Sequence, residues 1–142
     1  MEDFRTRKAD NQDLDALDAL YSQNMKQHVE KHCRWDPQMF RANFDPDAIL
    51  VIEIGRTLAG FLKVVYQHDE IYLAEIQLNE KYHNLGVGTA LIRNIIDHSE
   101  KSGKLITLKV VRGNPAEFLY KRLGFRVFET SPMHVKMSRV PR

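Results

Sequence analysis

The chain has 142 residues, 43% of them apolar and 28% charged, with a formal charge of +2, a composition that excludes a disordered chain and predicts one globular domain over 1–142. Its 21 basic residues are offset by 19 acidic ones, so no nucleic-acid partner is indicated. A single cysteine, Cys33, excludes an internal disulfide framework and a four-cysteine zinc site.

Phe4 to Lys8 alternates weakly and reads as a first strand, with Asp10 or Asn11 placed to cap the helix that follows. Leu14, Leu17, Leu20, Tyr21, Met25 and Val29 recur at spacings of three and four, one apolar stripe on a helix from about Asp13 to Lys31. Between Arg34 and Asp47, Trp35, Phe40 and Phe44 are interleaved with two Asp-Pro pairs, which reads as a short helix between turns. Ala48 to Leu78 divides at Gly55-Arg56 and again at Gln67 to Glu70 into three strands of an antiparallel meander. A helix from Val87 to Lys101, a β-branched strand from Leu105 to Val111 and a shorter helix from Pro115 to Leu123 follow. Phe125 to Phe128 and His134 to Met137 are the last two strands. The order predicts a mixed sheet with helices on both faces. No apolar run approaches the roughly 20 residues that cross a bilayer, and Met1 to Arg5 does not open a signal peptide. A soluble cytoplasmic protein without a membrane partner is expected.

The most informative stretch joins the strand Ile71 to Leu78 to the helix at Val87 through Gly86-Val87-Gly88. Glycines let the backbone approach a ligand, and the helix start turns free N–H groups and the positive dipole end toward the same space, as a pyrophosphate requires. A Walker A loop is excluded, because Thr89-Ala90 follows Gly88 where Lys-Ser or Lys-Thr is needed; a dinucleotide fingerprint is opposed by Leu91 at its third small position. His83-Asn84-Leu85-Gly86-Val87-Gly88 fits instead a pattern of Gln or Arg, two residues, Gly, any residue, and Gly or Ala. Asn114-Pro115-Ala116 and Leu119-Tyr120-x-x-Leu123-Gly124-Phe125 match a second segment of the same kind. Together the two resemble the GNAT superfamily of acyl-CoA-dependent N-acetyltransferases. The likeness runs in element order from Phe4 to Val140, with residue-level matches from Ile71 to Phe125. His83 departs from it, standing where the family usually has Gln or Arg.

The resemblance implies an α/β (mixed α+β) fold, a splayed mixed sheet of six to seven strands flanked by about four helices. It also implies acetyl-CoA as co-substrate and direct transfer of the acetyl group to a primary amine in a ternary complex. Tyr120 then takes the place of the general acid for the coenzyme A thiolate. Main-chain groups of Ile76, Gln77 and Leu78 hold the pantetheine arm, with Asn114 facing it. Pyrophosphate is met by N–H groups of Asn84, Leu85, Gly86, Val87, Gly88 and Thr89, beside His83. Trp35 and Phe40, with Phe44, fall where the family's variable acceptor segment lies, although core packing explains these aromatics as well.

From the residues themselves, Glu75 sits near the carboxyl end of a central strand, where open sheets place their ligands. It is a candidate base if burial raises its pKa, or else a strand carboxylate paired with a neighbouring cation. Tyr120 could equally be a packing tyrosine. His28, His32 and Cys33 invite a metal reading, but no third and fourth ligand is placed near them, so no metal is expected. A non-catalytic acyl-CoA sensor is the alternative function, needing the glycine loop but neither Tyr120 nor Glu75. The acceptor amine is left open, small molecule or peptide, and the last strand is a candidate for pairing across a homodimer.

Overall fold

The computed structural model describes residues 3–142; the first two residues of the Met1 to Arg5 segment lie outside it. Its seven strands are β1 (Phe4–Lys8), β2 (Ile49–Ile54), β3 (Thr57–Tyr66), β4 (Glu70–Leu78), β5 (Leu105–Val111), β6 (Arg126–Thr130) and β7 (His134–Arg139). They form one sheet in the order β1-β2-β3-β4-β5-β7-β6, antiparallel except for the central β4–β5 pair. Helices α1 (Leu14–Val29) and α2 (Met39–Ala42) precede the meander. Helix α3 (Val87–Ser102) crosses from β4 to β5, and α4 (Ala116–Arg122) joins β5 to β6. This is the mixed, helix-covered sheet expected from the sequence.

Two cores separate the faces. Leu17 and Leu20 of α1 bury against Ile49, Val51 and Phe61 on one side, with Tyr21, Phe40 and Phe44 packed around them. On the other, Leu91, Ile92 and Ile95 of α3 bury against Ile52, Leu62, Ile71, Leu73, Ile106 and Leu108. The apolar stripe read on α1 is therefore real, though only Leu17, Leu20 and Met25 of it are fully buried. The helix begins one residue later than expected: Asp10 caps a short 3₁₀ turn, Asn11–Asp13, through a capping box with Asp13.

Two features of the sheet set up everything that follows. The β4–β5 pairing runs from Glu70↔Leu105 to Leu73↔Leu108 and stops, so the two strands part over their carboxyl halves. In β4, Leu73 pairs with Val64 and Glu75 with Lys63, leaving Ala74 as an extra, bulged residue. One expectation fails here. β7 is bonded on one side to β5 and on the other to β6, so it has no free edge with which to pair across a dimer.

Candidate active site

The bulge at Ala74 decides which way the polar end of β4 faces. Side chains alternate along a strand, and Ile71 and Leu73 point into the core beneath α3. The extra residue resets the alternation, so Ile76 and Leu78 continue to pack on that core while Glu75 and Gln77 turn to the α1 face. Without it both polar groups would be driven into the apolar layer. The alternation read from sequence gives no sign of the bulge, because it is a property of the pairing with β3.

Glu75 is then held from α1. Asn24 Nδ2 donates to Gln77 Oε1 at 3.0 Å and to the Leu78 carbonyl at 2.9 Å, and Gln77 Nε2 donates to Glu75 Oε1 at 2.7 Å. Burial pushes the Glu75 carboxyl up to about 7, against the opposing pull of the Gln77 hydrogen bond and the charge of Lys63, its cross-strand partner. Neutral pH therefore divides Glu75 between its two forms. Sequence reasoning misses Asn24 and Tyr21 as residues of the site. A signal for them exists in the spacing: Tyr21, Asn24, Met25 and His28 share a face at three and four, and Asn24 is the polar interruption of an apolar stripe.

Three tyrosines stand around this carboxylate. Burial raises the pKa of Tyr21 to about 12 and also raises those of Tyr72 and Tyr120, and in each case the charge of Glu75 adds to the rise. Tyr21 comes from α1, Tyr72 from β4 and Tyr120 from α4, so the splayed strands bring residues from three elements to one carboxyl group. Tyr120 is 6% exposed, its ring edge-on to Phe125 at 5.8 Å between centroids. The charge of Glu75 reaches Tyr120, the other residue singled out from the sequence.

The glycine loop has the backbone predicted for it. Asn84 and Gly86 take positive φ, 61° and 87°, and Gly86 is the N-cap of α3 with no side-chain cap hydrogen bond. The first N–H groups of α3, around Val87, Gly88 and Thr89, are left to the solvent or to a ligand. Leu85 is exposed beside them. At Gly88 an added Cβ would find its nearest neighbour, Leu78 Cδ1, at 3.6 Å, so the protein itself leaves room there. His83 folds back, its Nε2 donating to the Leu78 carbonyl at 2.7 Å. With Asn24 on the same oxygen, the Leu78 carbonyl is engaged within the chain. Beyond Leu73 the β5-facing edge of Ala74, Glu75, Ile76 and Gln77 has no partner strand.

Asn114 caps α4 as expected. Its Oδ1 accepts from Ala116 N–H at 3.0 Å at the start of the helix, while its Nδ2 meets the Met25 sulfur at 3.9 Å and no oxygen among the described residues. Gly60 in β3, which nothing in the sequence marks out, lies so close to β4 that an added Cβ would be 2.1 Å from the Gln77 carbonyl oxygen. It lets the bulged strand sit down on its neighbour.

The aromatics divide. Phe40 meets the fully buried Phe61 at 5.6 Å and Phe44 at 6.1 Å, so it anchors α2 to the sheet. Trp35 stacks on Tyr21 at 5.9 Å and lines a groove of about 660 Å³ with Lys26, Glu30, Cys33, Arg34 and Pro37. Of the metal candidates, His32 Nε2 donates to the Arg112 carbonyl at 2.7 Å and the Cys33 thiol meets the Met133 sulfur at 3.9 Å. No group of three or more His, Cys, Asp or Glu gathers as a metal site among the described residues, and no helix among them is long and apolar enough to cross a membrane.

Comparison with known proteins agrees with this architecture. The Cysteine-rich protein 2-binding protein of Mus musculus is 28% identical over 86 residues, 59% of this chain; the chain spans 11% of that relative's length. The PaiA N-acetyltransferase of Thermoplasma acidophilum, solved in complex with coenzyme A, superposes with a TM-score of 0.73 at 20% identity, over 97% of this chain and 99% of that one. Naa50 of Arabidopsis thaliana, solved with the bisubstrate analogue CoA-Ac-MVNAL, gives 0.68 at 14% identity, over 96% and 97%. At such identities the likeness to the solved structures is one of fold. The sequence profile of the Acetyltransferase (GNAT) family matches residues 14–125, from the start of α1 through Phe125, and the chain belongs to that family.

Proposed function

We propose that the chain is an N-acetyltransferase domain that moves the acetyl group of acetyl-CoA directly to a primary amine. The observation that carries this reading is a carboxyl group poised near neutrality, Glu75, where β4 leaves β5, beside an uncapped helix start opened by Gly86. The residues present suit acetyl-CoA. The N–H groups near Val87, Gly88 and Thr89 fit a diphosphate, the unpaired edge of Ala74 to Gln77 can hydrogen-bond the pantetheine amides as an added strand would, and Asn114 Nδ2 is free of oxygen acceptors. The Acetyltransferase family assignment and the coenzyme A complex of the Thermoplasma neighbour favour the same ligand.

The chemistry follows from the two perturbed groups. As carboxylate, Glu75 takes a proton from the incoming ammonium, directly or through water, and frees the amine lone pair. A new C–N bond then forms at the acyl carbon as the C–S bond breaks. Main-chain N–H groups on the unpaired edge of β4 polarise the carbonyl oxygen during the attack. Tyr120, whose raised pKa keeps it protonated at neutral pH, gives its proton to the leaving sulfur, and the phenolate recovers one from the acylated nitrogen, which ends as a neutral amide. A direct route needs no thiol nucleophile, and Cys33 is exposed at the far end of α1 against Met133. The bisubstrate analogue held by the Arabidopsis neighbour supports a ternary complex.

The test is a panel of amines with acetyl-CoA, followed by free-thiol release. Amine-dependent release that rises with pH through about 7 supports the reading. Tight coenzyme A binding with no release for any amine would instead favour a sensor.

A further inference from the structure

On the α1 face, cross-strand partners line up as Lys63 with Glu75, then, past the splay, Lys109 with Lys136 and Lys136 with Glu129. The lysines beyond the splay are used neither by the fold nor by the proposed transfer step. Lys109 is the residue immediately after the last β4–β5 pair, Leu73↔Leu108, so it lies on β5 beside the gap that Glu75 flanks on β4. Like charges directly opposite in an antiparallel pair destabilise a sheet, and Lys109 opposite Lys136 is such a pair.

Lys136 is relieved by Glu129 at 2.7 Å. Lys109 is exposed and has no acidic partner among the described residues. His134, the next cross-strand residue on this face, opposite Val111, has its pKa lowered by burial and then by the charges of Lys109, His32 and Lys136. The remaining carboxylates nearby are already engaged: Glu70 accepts from Thr107 at 3.0 Å and Glu75 from Gln77 at 2.7 Å. The face is reachable: α1 packs over β3 and β4, Lys109 is exposed and the Lys136 side chain is 44% exposed. The ties of His32 to Arg112 and of Cys33 to Met133 bound its upper end.

We infer that the acceptor is an amine bearing a carboxylate, with Lys109, flanked by Lys136 and His134, receiving the carboxylate while the nitrogen is presented at Glu75. This rests on the acetyltransferase reading and names its substrate class. An ammonium is drawn to Glu75 and repelled by the Lys109 row, whereas a carboxylate is drawn in the opposite sense, so a molecule carrying both is oriented across the gap. Such a molecule can be a free amino acid or a peptide whose amino terminus is followed by an acidic side chain.

The experiment measures kcat/KM by thiol release for matched acceptors. One arm uses glutamate, aspartate and β-alanine against their amides, a second uses short peptides beginning with Glu against Gln, and a third uses a simple diamine. The carboxylate member of at least one pair is expected to exceed its amide roughly tenfold or more. The arm in which the preference appears identifies free acid or peptide. Lys109→Gln should raise KM for the acid and leave kcat and the amide's kinetics nearly unchanged, so the preference collapses; Lys109→Arg should retain it. Amides or the diamine serving as well as the acids, or a preference that survives Lys109→Gln, overturns the proposal while leaving the acetyltransferase reading standing. Absence of thiol release with every amine overturns both.

Discussion

Replacing Glu75 by glutamine should stabilise the protein while abolishing its turnover, and the gain should build up as pH rises above the carboxyl's ordinary value and be complete near its native one. In the unfolded chain Glu75 titrates at its ordinary value of 4.5, and in the native state at about 7. Between those values the native state holds a proton that the unfolded state has lost, so wild-type stability falls as pH rises through this window and is level above it. The interval is about 2.5 pH units, which at about 1.4 kcal/mol per unit gives a ceiling of about 3.5 kcal/mol. Solvent reaching a partly exposed group reduces this, to about 3 kcal/mol at most. The glutamine side chain of the variant keeps the shape and the acceptor oxygen that Gln77 requires, so the hydrogen bond at 2.7 Å can persist. Thermal melts of wild type and Glu75→Gln at pH 5 and pH 8 read the difference directly. The variant should lie above wild type by about a quarter of the full difference at pH 5 and by all of it at pH 8, with an upper limit of roughly 6 to 12 °C for a chain of this size. Two proteins whose melting temperatures stay parallel from pH 5 to pH 8 would refute the claim that burial holds this carboxyl near neutrality.

Tyr120→Phe keeps the ring that packs on Phe125 and removes only the proton donor. Turnover should drop roughly tenfold or more with coenzyme A affinity nearly unchanged by calorimetry. Gln77→Leu removes the hydrogen bond that pulls the Glu75 pKa down, so the rising limb of kcat/KM against pH should move to higher pH. Asn24→Ala, which leaves the Gln77–Glu75 bond in place, should move it less. Gly60→Ala would put a Cβ 2.1 Å from the Gln77 carbonyl oxygen. It should cost more than about 2 kcal/mol by urea unfolding, because a backbone atom cannot swing aside as a flexible side chain can.

What could be read from the chain alone was whatever local backbone demands write into it. The turn at Gly86 and the cap at Asn114 both appear where glycine, asparagine and proline were placed, because positive φ, an uncapped helix start and an N-terminal proline are satisfied within a few residues. The meander was legible for the same reason, its turns falling at Gly55 and at Gln67 to Glu70. The order β5-β7-β6 was not, since it concerns which strand lies beside which after the chain has left α4, and the dimer pairing expected of β7 failed on that point.

The bulge at Ala74 has the widest consequence of the features hidden from the sequence. It exists only as a mismatch of register between β4 and β3, close to where Gly60 admits the Gln77 carbonyl. By turning Glu75 and Gln77 onto the α1 face, it connects the carboxyl end of β4 to Asn24, and through Asn24 to a helix otherwise devoted to packing. The Glu75 carboxyl is thus positioned by the meander, and its pKa is set jointly by burial and by a hydrogen-bond chain from α1. A change in how α1 sits on the sheet would therefore alter the protonation of the site without touching a residue that meets the substrate.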